Sequence, residues 1–85
     1  MKSEWLITFR SVTFAQRAER ILNNNRISCR IQRTPKHLTE RGCGYCLRLQ
    51  SGDIPNAMVI IRKEKLPYEK LYAVREDGST EEQRV

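Results

Sequence analysis

The chain has 85 residues, of which 39% are hydrophobic and 31% charged, and its formal net charge is +6. This length predicts one domain with one modest core and argues against a large internal cavity. No apolar stretch approaches the roughly 20 residues that a membrane helix requires, and the apolar run 5–9 is too short for the core of a signal peptide. Three cysteines, an odd number without an export signal, favour reduced thiols in the cytoplasm over a disulfide framework.

The first part of the chain predicts a strand, a helix and a second strand. Residues 4–10 are rich in aromatic and β-branched types with Trp5, Ile7 and Phe9 on one face, which favours a strand. Ser11 suits a helix N-cap, and apolar residues at three- and four-residue spacing predict an amphipathic helix over residues 11–24. Residues 27–33 then alternate between apolar and polar types, which is typical of a half-buried strand.

The second part predicts a loop, a strand, a helix and a last strand. Residues 34–44 contain one proline and two glycines and little apolar content, so we expect an exposed loop. Alternation over 45–50 predicts a third strand that forms a hairpin with the second. Asp53 as N-cap and Pro55 in the first turn predict a helix over 53–64, and residues 68–75 are compatible with a fourth strand.

This βαββαβ order predicts an α+β fold of the ferredoxin-like type, in which a four-stranded antiparallel sheet carries both helices on one face. We expect residues 1–75 to form this single domain. Residues 76–85 hold four acidic residues and one arginine, and we expect them to be a mobile polar tail. Such a fold serves many activities, so function has to be argued from a site.

The positive charge is concentrated in the middle of the chain. Residues 26–48 contain Glu40 as their only acid and six cations, namely Arg26, Arg30, Arg33, Lys36, Arg41 and Arg48. Such a stretch attracts anions and suits an acidic partner or nucleic acid. A solvated basic face without a partner is the commoner reason for such a charge run.

The segment that offers a site is RGCGYC, residues 41–46. Gly42 and Gly44 flank Cys43, where positive φ angles can turn backbone N–H groups toward the sulfur. Positive charge close by in sequence comes from Lys36, His37, Arg41 and Arg48. Both effects favour the thiolate, since the pKa of a thiol can fall from about 8.5 to roughly 3.5–7.5 in such settings. The alternative is that the glycines only shape the hairpin and Cys43 has no chemical role.

The other two cysteines are weaker candidates. Cys29 shares the apolar face of its strand, so we expect a buried and unreactive thiol. Cys46 lies on the face away from the helices and completes a C-x-x-C spacing with Cys43, but strand alternation turns the two side chains apart. Cys29, His37, Cys43 and Cys46 could together supply four zinc ligands. One C-x-x-C is too little for a structural zinc site, so neither a metal nor a cofactor is expected.

Three segments of the sequence resemble a known protein family. The segments WLITFRSVTFAQRAERIL (5–22), ISCRIQRTP (27–35) and GCGYCLRL (42–49) are similar to the small bacterial family of selenium/sulfur carrier-like proteins. The Cys43-Gly44 pair matches the family motif ahead of a Leu-Arg-Leu strand, here 47–49. Cys46 departs from the family pattern, which has a small residue without a thiol there, so a role for the cysteine pair is not implied.

The resemblance implies a carrier in which Cys43 accepts sulfur or selenium as a persulfide or selenide. Gly42 and Gly44 would give backbone access, Arg41 and Arg48 would stabilise the anion or dock an acidic donor, and the partners would be donor and acceptor proteins. Two alternatives stay open: a basic binding module for nucleic acid or an acidic protein, and a redox regulator using Cys43 and Cys46. The nucleic-acid hypothesis lacks exposed aromatics on the central strands. An edge strand could pair with a second copy, giving a homodimer.

Overall fold

A computed structural model describes residues 3–38 and 44–83. Its helices are α1 (Val12–Asn24) and α2 (Ile54–Lys63), and two short 3₁₀ turns occupy Lys36–Leu38 and Ser51–Asp53. Its strands are β1 (Glu4–Phe9), β2 (Cys29–Arg33), β3 (Tyr45–Gln50), β4 (Leu71–Val74) and β5 (Thr80–Gln83). They form one antiparallel sheet in the order β2-β3-β1-β4-β5.

The sheet confirms the α+β class but has five strands rather than the four that the sequence predicted. The fifth strand, β5, lies in the segment that we expected to be a tail, and it pairs with β4 from Val74 opposite Thr80 to Leu71 opposite Gln83. Ion pairs of Glu82 with Lys70 and of Glu81 with Arg75 accompany this pairing. The sequence of β5 shows no apolar alternation, because all its residues are polar. Its pairing depends on backbone hydrogen bonds and charge.

Both helices pack on one face of the sheet, as predicted. The main core joins every second residue of the central strands to the apolar stripes of α1 and α2. Its completely or almost completely buried members include Ile7, Phe9, Ala18, Leu22, Leu47, Met58 and Ile61. The three- and four-residue spacing in the helices and the two-residue spacing in the strands therefore predicted most of this core, whereas Phe14, which belongs to the apolar spacing of α1, is exposed.

The opposite face of the sheet, called the second face from here on, carries a smaller apolar cluster. Leu6, Cys46 and Tyr72 are buried there, with Leu38 and Val74 packed against them. Leu38 belongs to the loop between β2 and β3, so this loop covers part of the second face. The prediction of a fully exposed loop is wrong at Leu38, because an apolar side chain gains by covering the apolar cluster.

The predicted caps differ in outcome. The Ser11 hydroxyl accepts a hydrogen bond from the Phe14 N–H at 3.2 Å and caps α1 as expected. Asp53 occupies the position before α2 but its side chain makes no capping bond. The 3₁₀ turn Ser51–Asp53 gives Asp53 helical dihedral angles, whereas a capping side chain needs an extended backbone at that position.

The free edge of β2 is covered by side chains of α1. A Glu19 carboxylate oxygen accepts from the Ile31 N–H at 2.8 Å, and the Asn23 side-chain oxygen accepts from the Cys29 N–H at 3.3 Å. Glu19 and Asn23 are four residues apart and so share a face of the helix. They occupy N–H groups of β2 that a further strand would otherwise bind.

The end of α2 gives a first testable prediction. Lys65 has a φ of 55°, and the backbone bonds of Lys65 to Arg62 and of Leu66 to Ile61 form a Schellman motif. A side chain in this left-handed conformation costs about 1–2 kcal/mol that glycine avoids. Lys65→Gly should therefore raise the free energy of unfolding by roughly 0.5–1 kcal/mol, measured by denaturant titration.

Lys63→Gly is the matched control, since it removes the same charge two residues earlier, inside the last turn of α2. It should lower the free energy of unfolding by about 1 kcal/mol, because glycine is a poor residue inside a helix. Equal destabilisation by the two substitutions would contradict the assigned backbone strain.

Candidate functional site

The predicted site residues divide into two groups. Arg41, Gly42 and Cys43 lie outside the described residues, as does Glu40. The structure places the other five, namely Lys36, His37, Gly44, Cys46 and Arg48. These residues and their neighbours define where the chain leaves β2 and where it enters β3, and so frame the position of Cys43 in the sequence.

Gly44 begins the described chain on the β3 side of the loop. Its φ is +143°, a conformation that side-chain-bearing residues rarely adopt, so the backbone here requires glycine. The Gly44 carbonyl accepts a hydrogen bond from the Thr34 N–H at 3.1 Å, which extends the β2–β3 hairpin by one further pair. The residue after Cys43 is therefore held in a fixed and unusual backbone geometry.

The β2 side of the loop is attached to the sheet at two points. Leu38 packs on the second-face cluster, and His37 Nε2 lies 3.2 Å from the Thr80 hydroxyl of β5. Since β2 and β5 are opposite edges of the sheet, this part of the loop reaches across the second face. Sequence reasoning gave His37 a role as a cation near Cys43 and missed the anchor Leu38, whose only signal was an apolar residue within a polar loop.

Lys36 opens the 3₁₀ turn and is exposed. It makes no ion pair with any residue between 3 and 38 or between 44 and 83. Its charge is thus directed to solvent from the same loop that contains Cys43.

Cys46 is completely buried, although it lies on the second face as predicted. Burial raises the pKa of its thiol, and the Thr34 and Gln32 side chains and the Arg48 charge oppose that rise only in part. Within the described residues, the buried Thr34 hydroxyl oxygen has no hydrogen-bond partner of its own. The sequence pattern did not reveal that this face is covered. The Cys46 thiol is a packing group in this state of the molecule.

Arg48 is bound to neighbouring side chains. Its Nη1 lies 2.8 Å from a Glu4 carboxylate oxygen, and its Nε donates to the Gln32 side-chain oxygen at 3.2 Å. The side chain is 37% exposed, so it still reaches solvent. Because Glu4 neutralises much of its charge, Arg48 attracts an external anion less than its place in the sequence suggested.

Cys29 is half-buried rather than fully buried, and packs against the main core. Burial, and secondarily the negative charge of Glu19, raises the pKa of the Cys29 thiol to about 11. Its sulfur lies 3.8 Å from the Glu19 carbonyl oxygen. Such a thiol holds very little thiolate at neutral pH and is a poor nucleophile.

The four candidate zinc ligands are not assembled by this fold. Cys29 packs against the main core and Cys46 belongs to the second-face cluster, so the two thiols lie on opposite faces of the sheet. Across the described ranges, no group of three or more His, Cys, Asp or Glu side chains could hold a metal ion.

A comparison with protein families gives one match. A family model described as "Putative Se/S carrier protein-like" matches residues 4–73, which is most of the chain and includes the whole β2–β3 hairpin. No curated protein and no solved structure matches the chain. Within the described residues, no helix is long and apolar enough to cross a membrane.

The cysteine environments give a second prediction. We expect iodoacetamide at pH 7.5 to label Cys43 first, because the Cys29 thiol has a pKa near 11 and Cys46 is buried. Labelling of Cys29 should rise only as the pH approaches 11, where its thiolate forms. Peptide mass spectrometry of the folded protein measures the order, with Cys43→Ser as the control. Faster labelling of Cys29 or Cys46 than of Cys43 would overturn this assignment.

Proposed function

The chain belongs to the family of Se/S carrier-like proteins, and from this we propose that it accepts a sulfane sulfur or selenium atom on Cys43 and passes it to an acceptor protein. The observation that carries the proposal is the family match, which spans the loop and strand that contain Cys43-Gly44. A carrier needs an accessible thiol and a partner, and it needs no deep pocket.

The proposed transfer conserves atoms and electrons. The Cys43 thiolate attacks the outer sulfur of a donor persulfide, R–S–S⁻, and the donor S–S bond breaks as the Cys43–S–S⁻ bond forms. The bonding electron pair leaves with the donor as its thiolate, R–S⁻. Selenium follows the same route from R–S–Se⁻ to Cys43–S–Se⁻. Delivery repeats the step with the acceptor thiolate as nucleophile and Cys43 as leaving group.

Two features of the described chain support Cys43 as the thiol that reacts. The other two cysteines have raised pKa values, Cys29 through burial and Glu19, Cys46 chiefly through burial. The residue after Cys43 is a glycine with positive φ, so it has no side chain that could crowd the thiol. Lys36 adds positive charge to the same loop.

The proposal extends to the cellular location, the class of protein, the fold type and the oligomeric state. It places the protein in the cytoplasm, where thiols stay reduced, as a carrier or accessory protein more than an enzyme. It also describes β1 to β4 with the two helices as a ferredoxin-like unit to which β5 is added. A homodimer through β2 is disfavoured because Glu19 and Asn23 already cover that edge.

A third prediction tests the carrier directly. After incubation with a cysteine desulfurase and cysteine, Cys43→Ser should abolish the added sulfur mass, because it removes the nucleophile. Cys46→Ala should leave loading within about twofold of the wild type, because its buried thiol does not take part. It should still cost roughly 1–2 kcal/mol of stability, since it removes a buried side-chain atom. Intact-protein mass spectrometry without reductant measures loading, and thermal unfolding measures stability.

The rival functions give different patterns. A Cys43/Cys46 redox regulator would lose its response in either variant, and a zinc protein would lose metal and stability in either variant. A nucleic-acid-binding module would keep its affinity for nucleic acid in both variants. Equal loss of loading in Cys43→Ser and Cys46→Ala would refute the assignment of Cys43 as the sole carrier thiol.

A further inference from the structure

Four exposed cations lie on β2 or close to it in the sequence. Arg26 precedes β2, Arg30 and Arg33 lie on it, and Lys36 follows it in the loop. All four side chains are exposed. Strand alternation places Arg30 on the second face and Arg33 on the helix face, so the set presents charge from both sides of the edge. We call these four residues the β2 strip.

Within the described residues, the β2 strip differs from four other basic residues in forming no ion pair. Four other basic residues each lie within 4 Å of a carboxylate: Arg10 by Glu69, Arg48 by Glu4, Lys70 by Glu82 and Arg75 by Glu81. Within the ranges 3–38 and 44–83, no member of the strip forms such a pair.

Glu19 of α1 reaches this edge but binds the strand backbone and not a basic side chain of the strip. Glu19 faces β2, but its carboxylate accepts the Ile31 backbone N–H at 2.8 Å. Within the described residues it forms no ion pair with a member of the strip. Four like charges without internal partners raise the local concentration of anions around them.

The hydrogen bonds along β2 disfavour the addition of a partner strand at this edge of the sheet. Addition of a partner strand would require the N–H groups of Cys29 and Ile31, which Asn23 and Glu19 already occupy. A partner therefore contacts this edge through the long basic side chains and not through backbone hydrogen bonds.

We infer that the β2 strip docks an acidic face of the protein that delivers sulfur or selenium to Cys43, an inference that rests on the proposed function. The strip leads directly into the loop that contains Cys43, and Lys36 belongs to both. An acidic face seated on the strip places the donor beside the carrier loop. The cations then contribute mainly to the rate of encounter, which charge complementarity accelerates.

An acidic protein fits this surface better than nucleic acid does. Single-stranded nucleic acid is bound by exposed aromatic side chains on which bases stack. On the second face of β1 and β3, the described side chains are Glu4, Leu6, Thr8, Cys46, Arg48 and Gln50. Tyr72 on the neighbouring strand is buried. The strip thus supplies charge without a stacking platform.

The test compares two charge-matched double variants, Arg30→Gln/Arg33→Gln on the strip and Arg62→Gln/Lys63→Gln on α2. Each removes two exposed cations. Loading of Cys43 is timed with two donors, a cysteine desulfurase persulfide and the small molecule cysteine persulfide. With the desulfurase at low salt we expect Arg30→Gln/Arg33→Gln to load roughly tenfold more slowly than the wild type. Arg62→Gln/Lys63→Gln should stay within twofold, and cysteine persulfide should load all three alike.

The outcomes separate the inference from the function beneath it. Loading of the wild type by the desulfurase, with equal rates for the two double variants with that same donor, would overturn the docking inference and leave the carrier function standing. Absence of Cys43 loading from both donors would overturn the carrier function. Binding of the Cys43→Ser protein to a 12-residue polyglutamate and to a 12-nucleotide RNA decides the partner class. Tighter, strip-dependent binding of the RNA at equal ionic strength would overturn the choice of an acidic protein.

Discussion

The register of β3 is the constraint on which the rest of this structure depends. β3 lies between β2 and β1, and its pairing with both places Leu47 and Leu49 in the main core. The same alternation sends Cys46 to the opposite face, where Leu6 and Tyr72 surround it. A shift of one residue would exchange these sets and place Arg48 in the core, so burial fixes the register strongly. Because Gly44 immediately precedes β3, that register also determines where the loop containing Cys43 rejoins the sheet.

This arrangement gives the cysteines different chemistry through their surroundings alone. Cys29 is shielded by the main core and faces the carboxylate of Glu19, both of which disfavour a thiolate. Cys46 is enclosed by the second-face cluster, and the charge of Arg48 offsets its burial only partly. The cluster that encloses Cys46 also receives Leu38, so part of the loop packs on the face of the sheet that holds this thiol. The surroundings of Cys29 and Cys46 thus favour the protonated thiol at both positions.

The sequence predicted the elements with an apolar pattern and missed those without one. The stripe of α1 and the alternation of β1 and β3 are periodic signals, and each led to the observed element. β5 has the sequence TEEQ, which carries no such signal, and it pairs with β4 through backbone bonds and ion pairs. The position of Leu38 on the second face is likewise a tertiary contact between segments far apart in sequence. Of the candidate site, the face of Cys46 could be predicted from alternation, whereas its burial depends on the cluster formed with Leu6 and Tyr72, against which Leu38 packs.

The distribution of ion pairs also separates two kinds of basic residue that look alike in the sequence. Arg30 and Arg48 are opposite each other in the β2–β3 register, and sequence reasoning placed both in one basic stretch. Arg48 lies inside the sheet and meets Glu4 from β1, whereas Arg30 lies on the edge strand, with no second neighbouring strand to supply a carboxylate. Position in the sheet therefore explains why Arg48 forms an ion pair within the protein, whereas Arg30 stays exposed to solvent. Under the proposed carrier function, cations on the exposed edge are better placed to meet a donor than those at the centre, since charges at the rim of an interface speed encounter without requiring tight binding.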